Sequence, residues 1–198
     1  MQVERVGVEK VSQFKNKNMN KLQEIYEGLC STPSDINEHL PTLKKYAEEC
    51  EHITEMGVRW VVSTYALLMG KPKKLISYDI NGIHWQPIAE MVNEDTNFIF
   101  EVASTLNLEI EETDLLFIDT LHNYNQLSGE LKLHGNKSKK YIIFHDTTAF
   151  EWIGESYEGK VDEVGLWPAI EEFLENNPHW ELYERYTNNN GLTILKRK

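Results

Sequence analysis

The sequence has few cysteines and no long apolar run. Its two cysteines, Cys30 and Cys50, lie in predicted helices, and without a secretory signal such a pair is typical of reduced thiols rather than of a disulfide framework. No stretch approaches the roughly 18 apolar residues that a membrane span requires. We therefore expect a cytoplasmic protein without a membrane partner.

Basic residues are also scarce. The chain has 20 lysines and arginines against 32 aspartates and glutamates, which gives a formal net charge of -12. Because such a chain repels phosphate backbones, the composition argues against nucleic acid as a partner. The three spaced glycines of a dinucleotide-binding loop are absent as well, which counts against NAD.

The hydrophobic pattern predicts an α/β domain. The chain has 198 residues, 40% of them hydrophobic, which suits one domain with a small extension. Helical spacing over residues 16–30 and about 40–50 predicts an N-terminal helical extension over residues 1–50. Over residues 51–198 strands and helices alternate, which predicts a Rossmann-like, doubly wound and mostly parallel sheet. The chain should end in an antiparallel hairpin that turns at residues 188–191.

Polar residues stand at the ends of the predicted strands, where an open parallel sheet binds its ligands. Gly57 follows the first strand, and a glycine there lets a ligand approach the backbone at the start of the next helix. Asp79 ends the second strand, where a carboxylate can accept hydrogen bonds from both hydroxyls of a ribose. Together they predict a cofactor that carries a nucleoside.

Two further strand ends carry an acid–histidine pattern. Asp119 and His122 follow the fourth strand, and His145 and Asp146 follow the fifth. Neighbouring strand ends lie about 4.8 Å apart, so these side chains can converge. Asp119, His145 and Asp146 could hold a divalent cation; carboxylates favour Mg²⁺ or Ca²⁺, and an imidazole favours a transition metal. His122 would then be free to act as a general base.

Three motifs give the sequence a likeness to a known family. They are Thr54-Glu-Met-Gly-Val-Arg continuing to Ser63-Thr64, Phe117-Ile-Asp-Thr-Leu-His-Asn-Tyr124, and Ile143-Phe-His-Asp-Thr147. Through them the chain resembles the class I S-adenosylmethionine-dependent methyltransferases, in particular the cephalosporin-hydroxylase-like and macrolide sugar O-methyltransferase group. The resemblance covers about residues 50–198.

The resemblance implies S-adenosylmethionine as the cofactor. It places Glu55 and Gly57 at the methionine end of the cofactor, Ser63 and Thr64 on its carboxylate side, and Asp79 at the ribose. Asp119 is expected near both the cofactor and a metal ion.

The resemblance also implies the roles of the second and third motifs. Asp119 and the pair His145-Asp146 match positions that bind Mg²⁺ in the metal-dependent members, although that pair is often Glu-Asp in the family. His122 matches the proposed base that deprotonates a sugar hydroxyl. A second departure is Val61, because the family usually has a glycine four residues after Gly57.

The expected function is transfer of a methyl group to an oxygen of a small hydroxyl-bearing substrate, with a sugar as the class that the resemblance suggests. Two other functions fit the same residues: a metal-dependent hydrolase that uses the Asp/His cluster, and a non-catalytic Rossmann-like binding module. The N-terminal helices are expected either to cover the cofactor site or to form the contact of a homodimer. The polar segment 154–165 is predicted to be a lid.

Overall fold

Strands and helices alternate along the chain as the hydrophobic pattern predicts. The computed structural model describes residues 20–82, 85–92, 95–156 and 163–198. Its strands are β1 (His52–Met56), β2 (Lys74–Asp79), β3 (Asn97–Val102), β4 (Thr113–Ile118), β5 (Ser138–His145), β6 (Trp180–Tyr186) and β7 (Leu192–Arg197). Its α-helices are α1 (residues 20–31), α2 (Leu40–Ala47), α3 (Val62–Met69), α4 (Gln86–Met91), α5 (Tyr124–His134) and α6 (Trp167–Asn176).

The strands form one mixed sheet in the order β3-β2-β1-β4-β5-β7-β6. The first five strands pair in parallel, whereas β7 runs antiparallel to both β5 and β6. The predicted fold class, a doubly wound and mostly parallel sheet with a C-terminal antiparallel hairpin, is therefore confirmed. The chain order reverses between β1 and β4, so a crevice is expected beyond their carboxyl ends.

The sheet is buried on both faces, because alternate side chains of each strand point to opposite sides. In β5, Ile143 belongs to the core beneath α1, α2, α3 and α4, whereas Phe144 belongs to the core beneath α5 and α6. Both side chains are almost completely buried. The continuous apolar run of β5 follows from this double burial.

Prolines and a capping asparagine fix where several helices begin. Pro41, Pro87 and Pro168 each lie in the first turn of their helix, where a missing N–H costs nothing. Pro41 therefore starts α2 and does not interrupt it. The side chain of Asn123 accepts a hydrogen bond from the backbone N–H of Gln126 and so caps α5.

The N-terminal helices share a core with the sheet. Leu22 of α1 and Leu43 of α2 are buried in the same cluster as Phe117 of β4. The connection between α1 and α2 also contacts the β6–β7 turn, where Asn189 donates to the carbonyl of Ser34 over 2.6 Å. The boundary predicted at residue 50 thus runs through one packed core.

Two predictions fall in part on residues outside the described ranges: residues 1–19 of the predicted helical extension, and residues 157–162 of the predicted lid. Among the described residues, no helix is long and apolar enough to cross a membrane.

Candidate functional site

The ends of β1 and β4 touch at Gly57. Its backbone has φ +83°, and a Cβ atom there would lie 1.9 Å from the carbonyl oxygen of Asp119. The backbone N–H of Asp119 in turn donates to the carbonyl of Met56 over 2.8 Å. Only glycine fits this approach, since other residues would meet both steric overlap and an unfavourable backbone conformation. Gly57, which the sequence predicted to allow a close backbone approach, thus allows the ends of β1 and β4 to contact each other.

Asp79 holds the loop that follows Gly57. Its Oδ2 atom accepts hydrogen bonds from the backbone N–H groups of Val58 and Arg59, at 2.8 and 2.9 Å. Its Oδ1 atom accepts one from the N–H of Asn81 at 2.8 Å. The carboxylate that the sequence assigned to a ribose therefore also supports the β1–α3 loop, and Oδ1 keeps room for a second donor.

Val61, the departure from the family pattern, adopts the left-handed conformation with φ +60°. A β-branched residue is an outlier there, at a cost of roughly 1–2 kcal/mol. Its side chain is buried among apolar neighbours, which compensates for this strain. The loop thus keeps the backbone shape that a glycine would favour.

Glu55 is completely buried with three hydroxyl groups, and we call Glu55, Ser63, Thr64 and Ser77 the Glu55 group. Ser63 donates to Oε1 over 2.6 Å, and Thr64 and Ser77 donate to Oε2 over 2.9 and 2.5 Å. Burial raises the pKa of Glu55 to about 7, against the opposing effect of these hydrogen bonds. The hydroxyls of Ser63 and Thr64 are therefore turned toward Glu55.

The four side chains predicted at the ends of β4 and β5 converge, and we call Asp119, His122, His145 and Asp146 the strand-end cluster. The Nε2 atom of His122 lies 2.8 Å from Asp146 Oδ2 and 3.3 Å from Asp119 Oδ1. Its Nδ1 atom lies 2.9 Å from Oε2 of Glu155. Carboxylates therefore face both ring nitrogens of His122.

This surrounding charge shifts the pKa values within the strand-end cluster. Burial by itself would lower the pKa of His122, but its hydrogen bonds to Asp119 and Asp146 outweigh burial and raise the pKa to about 10. Burial by itself would raise the pKa of Asp119, but the two histidines hold it well below its usual range. The ring of His122 is accordingly charged here and donates from both nitrogens.

His145 has a fixed orientation and an unused nitrogen. Its Nε2 atom lies 3.1 Å from the backbone carbonyl of Asp35, and because a carbonyl only accepts, Nε2 must carry a proton. Its Nδ1 atom lies 3.4 Å from Asp119 Oδ1 and 3.5 Å from Asp146 Oδ2. A histidine whose far nitrogen donates to a carbonyl is the usual arrangement of a metal ligand.

Unpartnered atoms in the strand-end cluster support a cation site. Within the described ranges, His145 Nδ1 and Asp146 Oδ1 are buried without a hydrogen-bond partner. One ligand atom from each of Asp119, His145 and Asp146 can lie within 4.8 Å of the others. Asp146 also has φ +60°, a left-handed conformation that is uncommon even for aspartate. Two carboxylates and an imidazole therefore fit a divalent cation, and their burial fits the charge that it would neutralise.

A cavity of about 350 Å³ opens beyond the ends of β1, β2, β3 and β4. Thr120 and Leu121 line it, and because these two residues join Asp119 to His122 in the chain, the cavity lies beside the strand-end cluster. Gly57 and Asp79 line one part of it, and Ala103, Ser104 and Thr105 line the part beyond β3. Its volume is typical of a pocket for a small molecule or cofactor. A larger cavity of about 560 Å³ lies between α5 and α6, but its lining residues do not include the strand-end cluster.

The structure thus separates the residues that the sequence assigned to the cofactor. Gly57 and Asp79 line the cavity, whereas Glu55, Ser63 and Thr64 form the Glu55 group outside its described lining. All four members of the strand-end cluster come together.

Sequence reasoning missed several contributors to the site. Glu155, which contacts His122, lies in the segment predicted to be a lid, but its side chain was given no role. Phe150 stacks on the His122 ring with centroids 4.7 Å apart and planes 5° apart. Asp35 contributes a backbone carbonyl, which no side-chain pattern can reveal. Of these residues, Glu155 alone carried a usable signal, because it is an acidic residue in the segment predicted to be a lid.

No protein-family model and no curated protein sequence matches the chain. Solved structures do match it. A candidate caffeoyl-CoA O-methyltransferase from Staphylococcus aureus is 14% identical, with a TM-score of 0.62 over 99% of this chain and 100% of that chain. The O-methyltransferase from Bacillus cereus in complex with S-adenosylhomocysteine is 16% identical, with a TM-score of 0.57 over 92% of this chain and 91% of that chain.

A third match has a different methyl acceptor in its name. N-methyltransferase NodS from Bradyrhizobium japonicum, in complex with S-adenosylhomocysteine, is 14% identical, with a TM-score of 0.58 over 89% of this chain and 98% of that chain. At these identities the likeness establishes the fold, which is that of the class I methyltransferases, as the sequence predicted.

Proposed function

We propose that this chain is an S-adenosylmethionine-dependent O-methyltransferase that acts on a small hydroxyl-bearing substrate with the help of a divalent cation. One observation carries the proposal: the cavity lined by Gly57 and Asp79 opens directly beside the strand-end cluster. A cofactor in this cavity would thus present its reactive end to the strand-end cluster. The methyltransferase fold supports this assignment.

The cofactor site is proposed from the residues that line the cavity. Asp79 Oδ1, which accepts a single backbone hydrogen bond, can accept another from a ribose hydroxyl. Gly57 leaves the backbone bare where the methionine end would pass. Glu55, Ser63 and Thr64 lie outside this lining, and their proposed role is to hold the start of α3 in place through the hydrogen bonds of both hydroxyls to Glu55. The cofactor itself supplies a methyl group already activated as a sulfonium, so the protein mainly has to align it.

The cation is proposed to bind Asp119, His145 and Asp146. The donor set admits Mg²⁺ or another divalent cation, and the imidazole favours a transition metal. When bound, a cation supplies positive charge that lowers the pKa of a substrate hydroxyl. Asp119 would serve both ligands, because its backbone adjoins Gly57 while its carboxylate belongs to the strand-end cluster.

His122 is proposed to take the proton from the acceptor hydroxyl. Glu155 holds the ring from the Nδ1 side, so Nε2 faces the place where Asp119 and Asp146 meet. The charged ring first has to release its Nε2 proton to solvent, and this release would be favoured once Asp119 and Asp146 hold a cation, because the two carboxylates that raise the pKa of His122 would then be neutralised. The free Nε2 lone pair could then accept the proton of the hydroxyl. Phe150 covers one face of the ring and keeps its plane fixed.

The substrate class rests on the sequence resemblance. Trp152 has 57% of its surface exposed close to Glu155 in the chain, and an exposed aromatic face of this kind can stack on a sugar ring. The net charge of -12 supports a small molecule rather than nucleic acid as substrate. A homodimer and a cytoplasmic location remain predictions from the sequence.

The proposal is tested by transfer of a radiolabelled methyl group from S-adenosylmethionine to a panel of sugars and small polyols. We expect labelled O-methyl product that disappears with EDTA and returns with Mg²⁺ or Mn²⁺. Hydrolysis of test esters with added metal but without S-adenosylmethionine would instead support the hydrolase. If neither reaction occurs and S-adenosylhomocysteine does not bind, the methyltransferase proposal is wrong.

A further inference from the structure

A polar stripe on α5, half-buried at Gln126 and buried at Glu130 and His134, faces the wall of the cavity. Gln126, Glu130 and His134 follow one another at intervals of four residues, so they lie on one face of the helix. All three contact Thr105: Gln126 and Glu130 bond its hydroxyl, and His134 Nε2 lies 2.7 Å from its carbonyl oxygen. Since Thr105 lines the cavity, the stripe fixes the wall beyond β3.

Glu130 is the centre of this network. Its side chain is fully buried, and it accepts hydrogen bonds from Thr105 over 2.6 Å, from Thr120 over 2.9 Å and from the Gln126 amide over 2.8 Å. These three partners all line the cavity. A buried carboxyl group is costly unless it is hydrogen-bonded, and here every donor comes from the cavity wall. Glu130 is not among the residues that line the cavity, but it positions three residues that are.

The network fixes which end of the Gln126 amide can reach a ligand. The carboxylate oxygen of Glu130 that accepts from the Thr105 hydroxyl has no hydrogen to donate, so the amide nitrogen of Gln126, and not its oxygen, must face it. The same nitrogen also donates to the Thr105 hydroxyl over 3.1 Å. Both amide hydrogens are thereby used, and the carbonyl oxygen Oε1 is the polar atom that Gln126 can offer to the cavity.

We infer that Gln126, positioned by Glu130, accepts a hydrogen bond from the amino group of the cofactor's base and so selects adenine over an oxo-purine. This rests on the proposed function. A ribose at Asp79 leaves the wall formed by Ala103, Ser104, Thr105 and Gln126 for the base. An acceptor oxygen there matches the amino group of adenine and repels the oxygen of hypoxanthine, because two acceptors cannot share a proton.

The test is a direct binding measurement by isothermal titration calorimetry. The two ligands are S-adenosylhomocysteine and its inosine analogue, in which oxygen replaces the amino group. We expect the wild type to bind the inosine analogue at least roughly tenfold more weakly, and Gln126→Met to lose most of that ratio. Glu130→Gln should also reduce the ratio, because the neighbouring amide becomes free to turn.

A matched control exists on α1, where Gln23 donates to Glu27 at the same four-residue spacing on an exposed surface. Gln23→Met should leave the ratio unchanged, and thermal unfolding shows that each variant is folded. If Gln126→Met destabilises the chain, Gln126→Lys provides a second variant, because its ammonium group can still donate to Glu130 but offers no acceptor, and it should lose the ratio as well. An unchanged ratio in folded Gln126→Met overturns this inference alone. Failure of the wild type to bind either ligand overturns the proposed function and the inference with it.

Discussion

The strand-end cluster and the Glu55 group lie at neighbouring strand ends but pair their polar atoms differently. In the Glu55 group, hydroxyls of Ser63, Thr64 and Ser77 satisfy the buried carboxyl group. In the strand-end cluster, His145 Nδ1 and Asp146 Oδ1 are buried without such a partner, as far as the described residues show. A carboxyl group whose hydrogen bonds are all made supports the fold, whereas buried polar atoms without a partner are suited to bind a ligand.

The largest expected effect comes from the strand-end cluster. His122→Asn should lower the methyl-transfer rate by on the order of 10²–10⁴ while S-adenosylhomocysteine binding stays the same, because only proton transfer is removed. Single-turnover kinetics and calorimetry measure the two quantities separately. His179→Asn is the control, since this histidine bonds Asn136 and precedes β6, and its rate should be unchanged. An undiminished rate in His122→Asn would remove this residue from the mechanism.

A second prediction concerns Gly57, where the end of β1, the strand of Glu55, contacts Asp119 of the strand-end cluster. Gly57→Ala should lower the free energy of unfolding by about 4 kcal/mol, with about 2 from backbone strain and about 2 from steric overlap with Asp119. Urea denaturation followed by tryptophan fluorescence measures the change. Gly28→Ala is the matched control, because nothing lies within 4 Å of its added Cβ and α1 should gain about 0.5–1 kcal/mol. Equal stability of both variants would contradict the close approach of β1 and β4.

A third prediction concerns the pH dependence of the Glu55 group. Because burial raises the pKa of Glu55 from 4.5 to about 7, the folded state binds this proton more tightly than the unfolded state. The resulting stability is present below about pH 4.5 and is lost as the pH rises through about 7.

Denaturation of wild type and Glu55→Gln across this range measures the effect. Relative to the variant, the wild type should lose about 3 kcal/mol. A parallel pH dependence of the two proteins would show that Glu55 titrates normally.

The smallest expected effect concerns the contact between the connection from α1 to α2, which also reaches His145, and the β6–β7 turn. Asn189 donates to Ser34 and accepts from the N–H of Glu38. Asn189→Gly keeps the left-handed backbone but removes both hydrogen bonds, so the free energy of unfolding should fall by about 1–2 kcal/mol. Asn190→Gly is the control, because Asn190 has the same backbone conformation and its side chain makes neither bond. Equal losses in both variants would mean that the turn alone, without its contacts, sets the stability.

The sequence predicted the convergence of the strand-end cluster because that convergence follows from backbone topology. Once β4 and β5 are adjacent and parallel, Asp119 and His145 must end at the same edge. Side-chain direction could not be predicted in the same way. The hydroxyls of Ser63 and Thr64 lie near the start of α3 as expected, but their rotamers point them to Glu55.

Long-range hydrogen bonds to the backbone also could not be predicted from the sequence. The carbonyl of Asp35 reaches His145 because a short connection folds over the sheet end, and no periodic pattern indicates this. The left-handed conformation of Val61 contradicts its own preference, so only the surrounding core could impose it. Both features belong to tertiary packing rather than to local propensity.

The most direct test of the account is a crystal structure of the protein soaked with S-adenosylhomocysteine and Mn²⁺. We predict the nucleoside in the cavity with its ribose hydroxyls at Asp79, and an anomalous Mn²⁺ peak among Asp119, His145 and Asp146. Ligand density in the groove between α5 and α6, or Mn²⁺ bound away from the strand-end cluster, would contradict the account.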